Sequence, residues 1–149
     1  MEPAEIRRIL LGCGKPDQEV VLVIETPVKL PKKSPLFGIN KVATVKVAVN
    51  FNYLERARQV DPSFEFAKKE PGEEEKGTWG AKLMGTPLVE HKGELYLNCW
   101  VVESLGYEYY SASGEVLDKA KVHDQLPERR DSMPVRRYKL TNIKSVKLS

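Results

Sequence analysis

The segment Gly12-Cys13-Gly14-Lys15-Pro16 is the first place where residue types suggest chemistry, because a glycine-rich turn ending in lysine can cradle phosphate. The spacing of a phosphate loop is missing, however, and Pro16 stands where a Ser or Thr would meet magnesium. A turn between two elements accounts for the segment. Cys13 and Cys99 are the two cysteines, and His91 and His123 the two histidines. These are too few for a disulfide framework or a multi-ligand zinc site. A nucleophilic thiol needs a nearby base or positive charge, and neither histidine is close to Cys13 in sequence, so incidental thiols and surface histidines are expected. A metal-dependent nuclease needs carboxylates projecting from strand ends into one cleft beside a lysine. Glu25, Glu90 and Glu103 are the strand-borne acids that could serve, whereas Glu74-Glu75-Lys76 has suitable letters in a loop. No cofactor or metal is called for by these residues.

Positive charge is distributed unevenly. Between positions 29 and 58, Lys29, Lys32, Lys33, Lys41, Lys46, Arg56 and Arg58 face Glu55 alone, and from position 136 onward Arg136, Arg137, Lys139, Lys144 and Lys147 meet no acid. If the Lys46 face of one strand lay beside the Lys139 or Lys144 face of another, a twisted sheet would carry a basic groove. Single-stranded nucleic acid is held by such a groove together with aromatic faces on which bases stack. Aromatic residues on strands are commonly core, and Phe51 and Trp100, flanked by apolar alternation, are expected to be so. Trp79, Tyr107, Tyr110 and Tyr138 adjoin turns or charges and are the candidate stacking platforms. The candidate phosphate contacts are Lys32, Lys33, Lys41, Lys46, Arg56, Arg58, Arg136, Arg137, Lys139 and Lys144. The acids Glu73, Glu74 and Glu75 either gate that groove electrostatically or simply solvate a loop.

The chain that must position these residues has 149 amino acids, 41% of them hydrophobic and 30% charged, with a formal net charge of +3. That is the size of one domain with one sizeable core; two domains would each be undersized. No apolar run approaches the roughly 20 residues of a membrane span, and the acidic start lacks the basic region of a signal peptide. A cytoplasmic protein without membrane association is expected.

Residues 2–11 place Ile6, Ile9 and Leu10 on one helical face, with Pro3 in the first turn and Gly12 as a stop. Val20-Val21-Leu22-Val23-Ile24 predicts a buried strand continuing to Leu30, with Pro27 marking a bulge or sheet edge. Val45, Val47, Val49, Phe51 and Tyr53 are expected on one face of the next strand and Lys46, Ala48, Asn50 and Asn52 on the wetter one. Residues 54–60 suggest one or two helical turns ended by Asp61-Pro62. Residues 63–78 predict a flexible charged loop inside the single domain 1–149. Residues 82–89 and 94–103 read as a hairpin around His91-Lys92-Gly93, the second arm central because both its faces carry large residues. Gly106 suggests a turn, Ser111-Ala112-Ser113-Gly114 another, Asp118 a helix cap, and Thr141-Asn142 a break between two final strands. Strands without long intervening helices argue for a mainly β fold: a small antiparallel barrel of the OB type with a long inserted loop and two or three short helices, a sandwich being the rival.

Phe51-Asn52-Tyr53, Trp79-Gly80, residues 85–97 (GTPLVEHKGELYL) and residues 138–144 (YKLTNIK) together resemble a group of small phage-encoded β-rich proteins, over most of the chain from about Asn50 onward. The resemblance implies a viral or prophage origin and carries no assigned activity. In architecture and charge the chain also resembles OB-like single-stranded DNA-binding proteins of phages, although its basic C-terminal stretch departs from the acidic tail of the bacterial family. These likenesses imply a non-enzymatic binder of single-stranded DNA, with RNA as alternative ligand, acting in phage replication or recombination in the host cytoplasm. Self-association remains open. A structural or host-factor-binding protein with an aromatic interface is the first alternative, and a metal-dependent nuclease the second.

Overall fold

A computed structural model describes residues 1–63, 88–126 and 134–149, the side chains of residues 53 and 54 excepted. The expected charged loop beyond Ser63, Trp79, the first hairpin arm before Leu88 and the polar loop at 128–132 lie outside the described residues. The chain is mainly β: among the described residues a seven-stranded, wholly antiparallel sheet curls into a half-barrel, consistent with the OB-like expectation, and carries three short helices.

Helix α1 (Pro3–Leu11) has proline in its first turn, and the Gly12 N–H closes it by donating to the Arg8 and Ile9 carbonyls. Its buried side chains, Ile6 and Leu10, enter the main core. Such burial is worth about 1.5–3 kcal/mol per side chain at most.

Strand β1 (Gln18–Pro27) pairs along its full length with β2 (Asn40–Val49), setting Val20 opposite Val47 and Leu22 opposite Val45. These residues face the core, while Val21 and Lys46 face the other way. Strand β7 (Ile143–Leu148) pairs with the second edge of β1, so β1 is interior, and the irregularity in that pairing falls at Val23 and Ile24. The pairing with β7 stops at Ile24, so Pro27 stands where β1 is paired on its β2 side alone, as a proline at a sheet edge does. It ends the strand, which does not run on to Leu30.

The expectation that Phe51 continues the Val45-Val47-Val49 face is corrected. Asn50 has a left-handed backbone (φ 54°) that breaks the alternation, and its buried side-chain amide donates to the Cys13 carbonyl. Phe51 consequently packs with Ala48, Ala57 and Trp100 in a second core, its ring centroid 6.0 Å from that of Trp100. Helix α2 (Tyr53–Val60) supplies Ala57 and is capped by Asn52, whose side chain accepts from the Glu55 N–H. Ala48, expected on a wetter face, is fully buried there.

Strand β3 (Leu88–His91) and the 17-residue β4 (Glu94–Tyr110) form the predicted hairpin. Lys92 (φ 51°) and Gly93 (φ 80°) have the two positive φ values that a two-residue turn matched to strand twist requires. Strand β4 is central as expected. Leu97 pairs with both Leu88 and Tyr138, Trp100 with both Ala48 and Val135, and Tyr110 with both Asn40 and Val116. Hence β3 and β2 follow one another along one edge, and β6 (Val135–Lys139) and β5 (Val116–Leu117) along the other. Gly106 is not a turn. The strand passes through it at φ 126°, and the pairing with β2 skips Leu105 and Val102, so the expected turn is a bulged bend within one long strand.

The 111–114 turn leads into β5 as predicted. Helix α3 (Lys119–His123) begins at the expected cap, the Asp118 carboxylate accepting from the Ala120 N–H. It buries Val122 with Ile39 and Tyr109 in a third core. A 3-10 turn at Leu140–Asn142 separates β6 from β7, the predicted break.

Candidate nucleic-acid interface

The register of β2 against β4 sets Lys41 opposite Tyr109 and Ala43 opposite Tyr107, which places these side chains on one face near the C-terminal end of β4. Helix α3, started by Asp118, brings Lys119 and His123 to the same place, one turn apart. The Tyr107 ring is their meeting point. Lys41 Nζ lies 4.6 Å and Lys119 Nζ 4.5 Å from its centroid, and its hydroxyl is 3.2 Å from His123 Nε2. Tyr109 stands edge-on to Tyr107 and to His123, both at 5.6 Å. The Glu108 carboxylate reaches Lys119 at 3.8 Å. Tyr107 is half-buried, so part of this cationic and aromatic cluster faces solvent. A ring with ammonium groups above it gains roughly 0.5–2 kcal/mol per contact, and such ammonium groups are also suited to phosphate oxygens.

A second, smaller cluster lies toward the other end of β4 and on its other face. Arg137 on β6 has its guanidinium 5.0 Å from the Tyr96 ring centroid, His91 meets that ring edge-on at 6.4 Å, and Lys139 is opposite Tyr96 in register. About eleven residues of strand separate Tyr96 from Tyr107, roughly 35 Å of contour.

The remaining predicted contacts are dispersed. Lys32 and Lys33 are exposed in the connection between β1 and β2, and Arg58 is exposed on α2. Lys46 shares its row with Val21 and Lys147, not with Lys139 or Lys144, and its ammonium is 3.5 Å from Glu19. Lys144 pairs with Glu25 at 3.6 Å, and Arg56 reaches the Asp17 carboxylate through both Nη2 and Nε at 3.1 and 3.2 Å. Each of these cations is thus partly neutralised by an acid that the local charge count left out. Arg136 is half-buried opposite Cys99, donating to the Val135 carbonyl. Tyr110 is half-buried on the side of β4 away from Tyr109, beside Asn40 and Val116.

Tyr138 is not a surface platform. It packs against the main core opposite Leu97, and burial pushes its hydroxyl up to about 12. Burial likewise raises both thiols. Cys99 lies under β6 with its Sγ near the Arg136 carbonyl, and Cys13 closes α1 by donating to the Ile9 carbonyl. The strand acids do not converge: Glu25 is paired with Lys144, Glu103 is opposite Lys46, and Glu90 is on β3. Among the described residues no group of three His, Cys, Asp or Glu side chains could hold a metal ion, and no helix is long and apolar enough to cross a membrane.

Sequence reasoning did not include Lys119 and His123 in the interface. The available signal was the cap itself, because a helix started at Asp118 sets Lys119 and His123 on one face. The fold and site together define a curled antiparallel β domain with a cationic, aromatic cluster at one end. The chain matches no family model, no curated protein and no solved structure.

Proposed function

We propose that this protein is a non-enzymatic binder of single-stranded DNA, with single-stranded RNA as the alternative ligand, acting in replication or recombination. The observation that carries the reading is the Tyr107 ring with Lys41 and Lys119 at its face on a curled antiparallel sheet. Phosphates would exchange with the ring for the two ammonium groups, and the uncovered tyrosine would then offer a stacking face. Lys32 and Lys33 beyond β1 add exposed positive charge, and the Arg137 and Tyr96 cluster is a separate cationic and aromatic patch on the other face of β4.

The test is a titration of a fluorescent single-stranded oligonucleotide at low and moderate salt, with duplex DNA and RNA as competitors and magnesium varied separately. Salt-sensitive, strand-selective binding without cleavage is expected. Absence of binding at low salt would end the reading, and magnesium-dependent cleavage would transfer it to the nuclease class. A protein-interaction role is the second reading, favoured by the exposed apolar side chains Phe37, Leu105 and Val116, which are 54%, 47% and 62% accessible. Self-association without nucleic-acid affinity would select it.

A further inference from the structure

We infer that Asn98 is the reading residue of a nucleobase site on the face of β4 turned away from the main core, where a base stacks on Tyr96 and its carbonyl oxygen accepts from Asn98 Nδ2. The inference rests on the single-strand reading and adds to it a preference among bases. Asn98 is 2% accessible, and among the described residues its Nδ2 has no hydrogen-bond partner. A buried amide donor without an acceptor is costly, and a folded chain keeps few of them. The other such atom, Asn50 Oδ1, belongs to an amide whose nitrogen already holds the Cys13 carbonyl, which gives that side chain a structural task.

The alternation of β4 says where that donor faces. Leu97 and Cys99 enter the main core, so Asn98 shares the opposite face with Tyr96 and Trp100. Across the sheet Arg137 is its partner in register, and Lys139 is the partner of Tyr96. Arg137 is thus rooted opposite Asn98 yet carries its guanidinium to 5.0 Å from the Tyr96 ring centroid, leaning diagonally along the strand. The amide consequently lies at the foot of a ring and a guanidinium. Tyr96 is half-buried and Arg137 exposed, so a flat ligand that displaces the guanidinium from the ring reaches both the stacking face and the donor below it. A phosphate would have to lose its hydration against a neutral, buried amide, whereas a base brings a neutral acceptor and an apolar flat surface. The charged heads of Arg137 and Lys139, nearer the surface, are left for the sugar-phosphate chain. A carbonyl oxygen projects from the outline of a base and reaches a recessed donor, while a ring nitrogen lies within that outline. Guanine, cytosine and thymine carry such a carbonyl; adenine carries none, and its amino group would meet the amide donor hydrogen to hydrogen. The site therefore discriminates against adenine.

The experiment uses the full chain and short, end-labelled single strands of tetrahydrofuran abasic units that carry one central hypoxanthine, one central adenine or no base. Hypoxanthine and adenine share their ring nitrogens and stacking area and differ at position six, a carbonyl in one and an amino group in the other. The hypoxanthine strand is expected to bind about threefold to tenfold tighter than the adenine strand at low salt, and to move the side-chain amide resonances of Asn98, which the base-free strand leaves in place. Asn98→Leu should bring the hypoxanthine strand down to the affinity of the adenine strand, and Tyr96→Leu should bring both down to that of the base-free strand. If Asn98→Leu does not fold, the affinity ratio and the Asn98 resonances of the wild-type chain decide. Salt-sensitive binding of an oligothymidylate combined with hypoxanthine no tighter than adenine overturns this site and leaves the nucleic-acid reading standing. So does an unmoved Asn98 amide, or one that stays in contact with a long-lived buried water while the hypoxanthine strand is bound. No binding of the oligothymidylate at low salt overturns both.

Discussion

Asn50 concentrates several constraints in one side chain. It holds a left-handed backbone at φ 54°, donates to the Cys13 carbonyl, and turns the chain so that Phe51 enters a different core from Val49. Alanine loses the hydrogen bond and is unfavourable at that φ, whereas glycine loses only the bond. Denaturant unfolding should therefore show Asn50→Ala costing about 2 kcal/mol or more and Asn50→Gly distinctly less. Equal costs would mean that the backbone conformation is not the constraint. Tyr138 and Cys99 give the fold a pH dependence with a definite sign. Burial raises the folded values of both, so the stabilisation is complete below their unfolded values, 10.0 and 9.0 respectively, and is lost as pH rises through the folded ones. Stability measured from neutral to strongly alkaline pH should begin to fall near pH 9, and Tyr138→Phe should flatten the fall. The environment of Tyr138 was not legible because Arg136-Arg137-Tyr138-Lys139 contains no second apolar residue to phase the alternation. Its partner Leu97 lies far away in sequence, and only the register assigns Tyr138 to the core.

At the scale of elements, the strands with a strong period of two were readable, as were the ends set by capping residues. Pro3, Gly12 and Asp118 mark helix boundaries through groups that satisfy or remove backbone hydrogen bonds locally, whereas Asn52, expected on a strand face, caps α2. The hairpin between β3 and β4 was legible for the same reason, since its turn chemistry is contained in Lys92-Gly93. Lys92 occupies a position that favours asparagine, so Lys92→Asn should raise stability by about 0.5–1 kcal/mol in thermal or denaturant unfolding. A decrease would show that the lysine side chain compensates for its backbone. Gly106 misled because a glycine between two strand-like runs signals a turn and a bulge equally well. What decides between them is whether one partner strand is long enough to pair on both sides, and β2 is. A Cβ at Gly106 meets nothing within 4 Å, so the demand is on the backbone at φ 126° and not on space. Gly106→Val should cost about 1–3 kcal/mol through that conformation alone.

For the molecule as a whole, the basic stretches were legible as letters but their partners were not. Glu19, Asp17 and Glu25 come from β1 or the turn before it, and the fold places them on Lys46, Arg56 and Lys144. Exposed pairs of this kind contribute about 1 kcal/mol or less to stability, but they reduce the charge offered to a polyanion. Lys144 and Lys147 lie on β7, the last strand on the β1 side of the sheet, where charged side chains also discourage pairing with another chain. The cluster of cations around an aromatic ring lies where β2, β4 and α3 meet, and there too one ammonium group, that of Lys119, has an acid, Glu108, beside it. The most direct measurement of this account is the salt dependence of single-stranded oligonucleotide binding by the wild-type chain, Lys41→Gln, Lys119→Gln and Lys46→Gln. The account predicts that Lys41→Gln and Lys119→Gln each weaken binding and lower the slope of log affinity against log salt by about 0.7, while Lys46→Gln changes it less. Equal slopes in all four proteins, with binding retained, would contradict it.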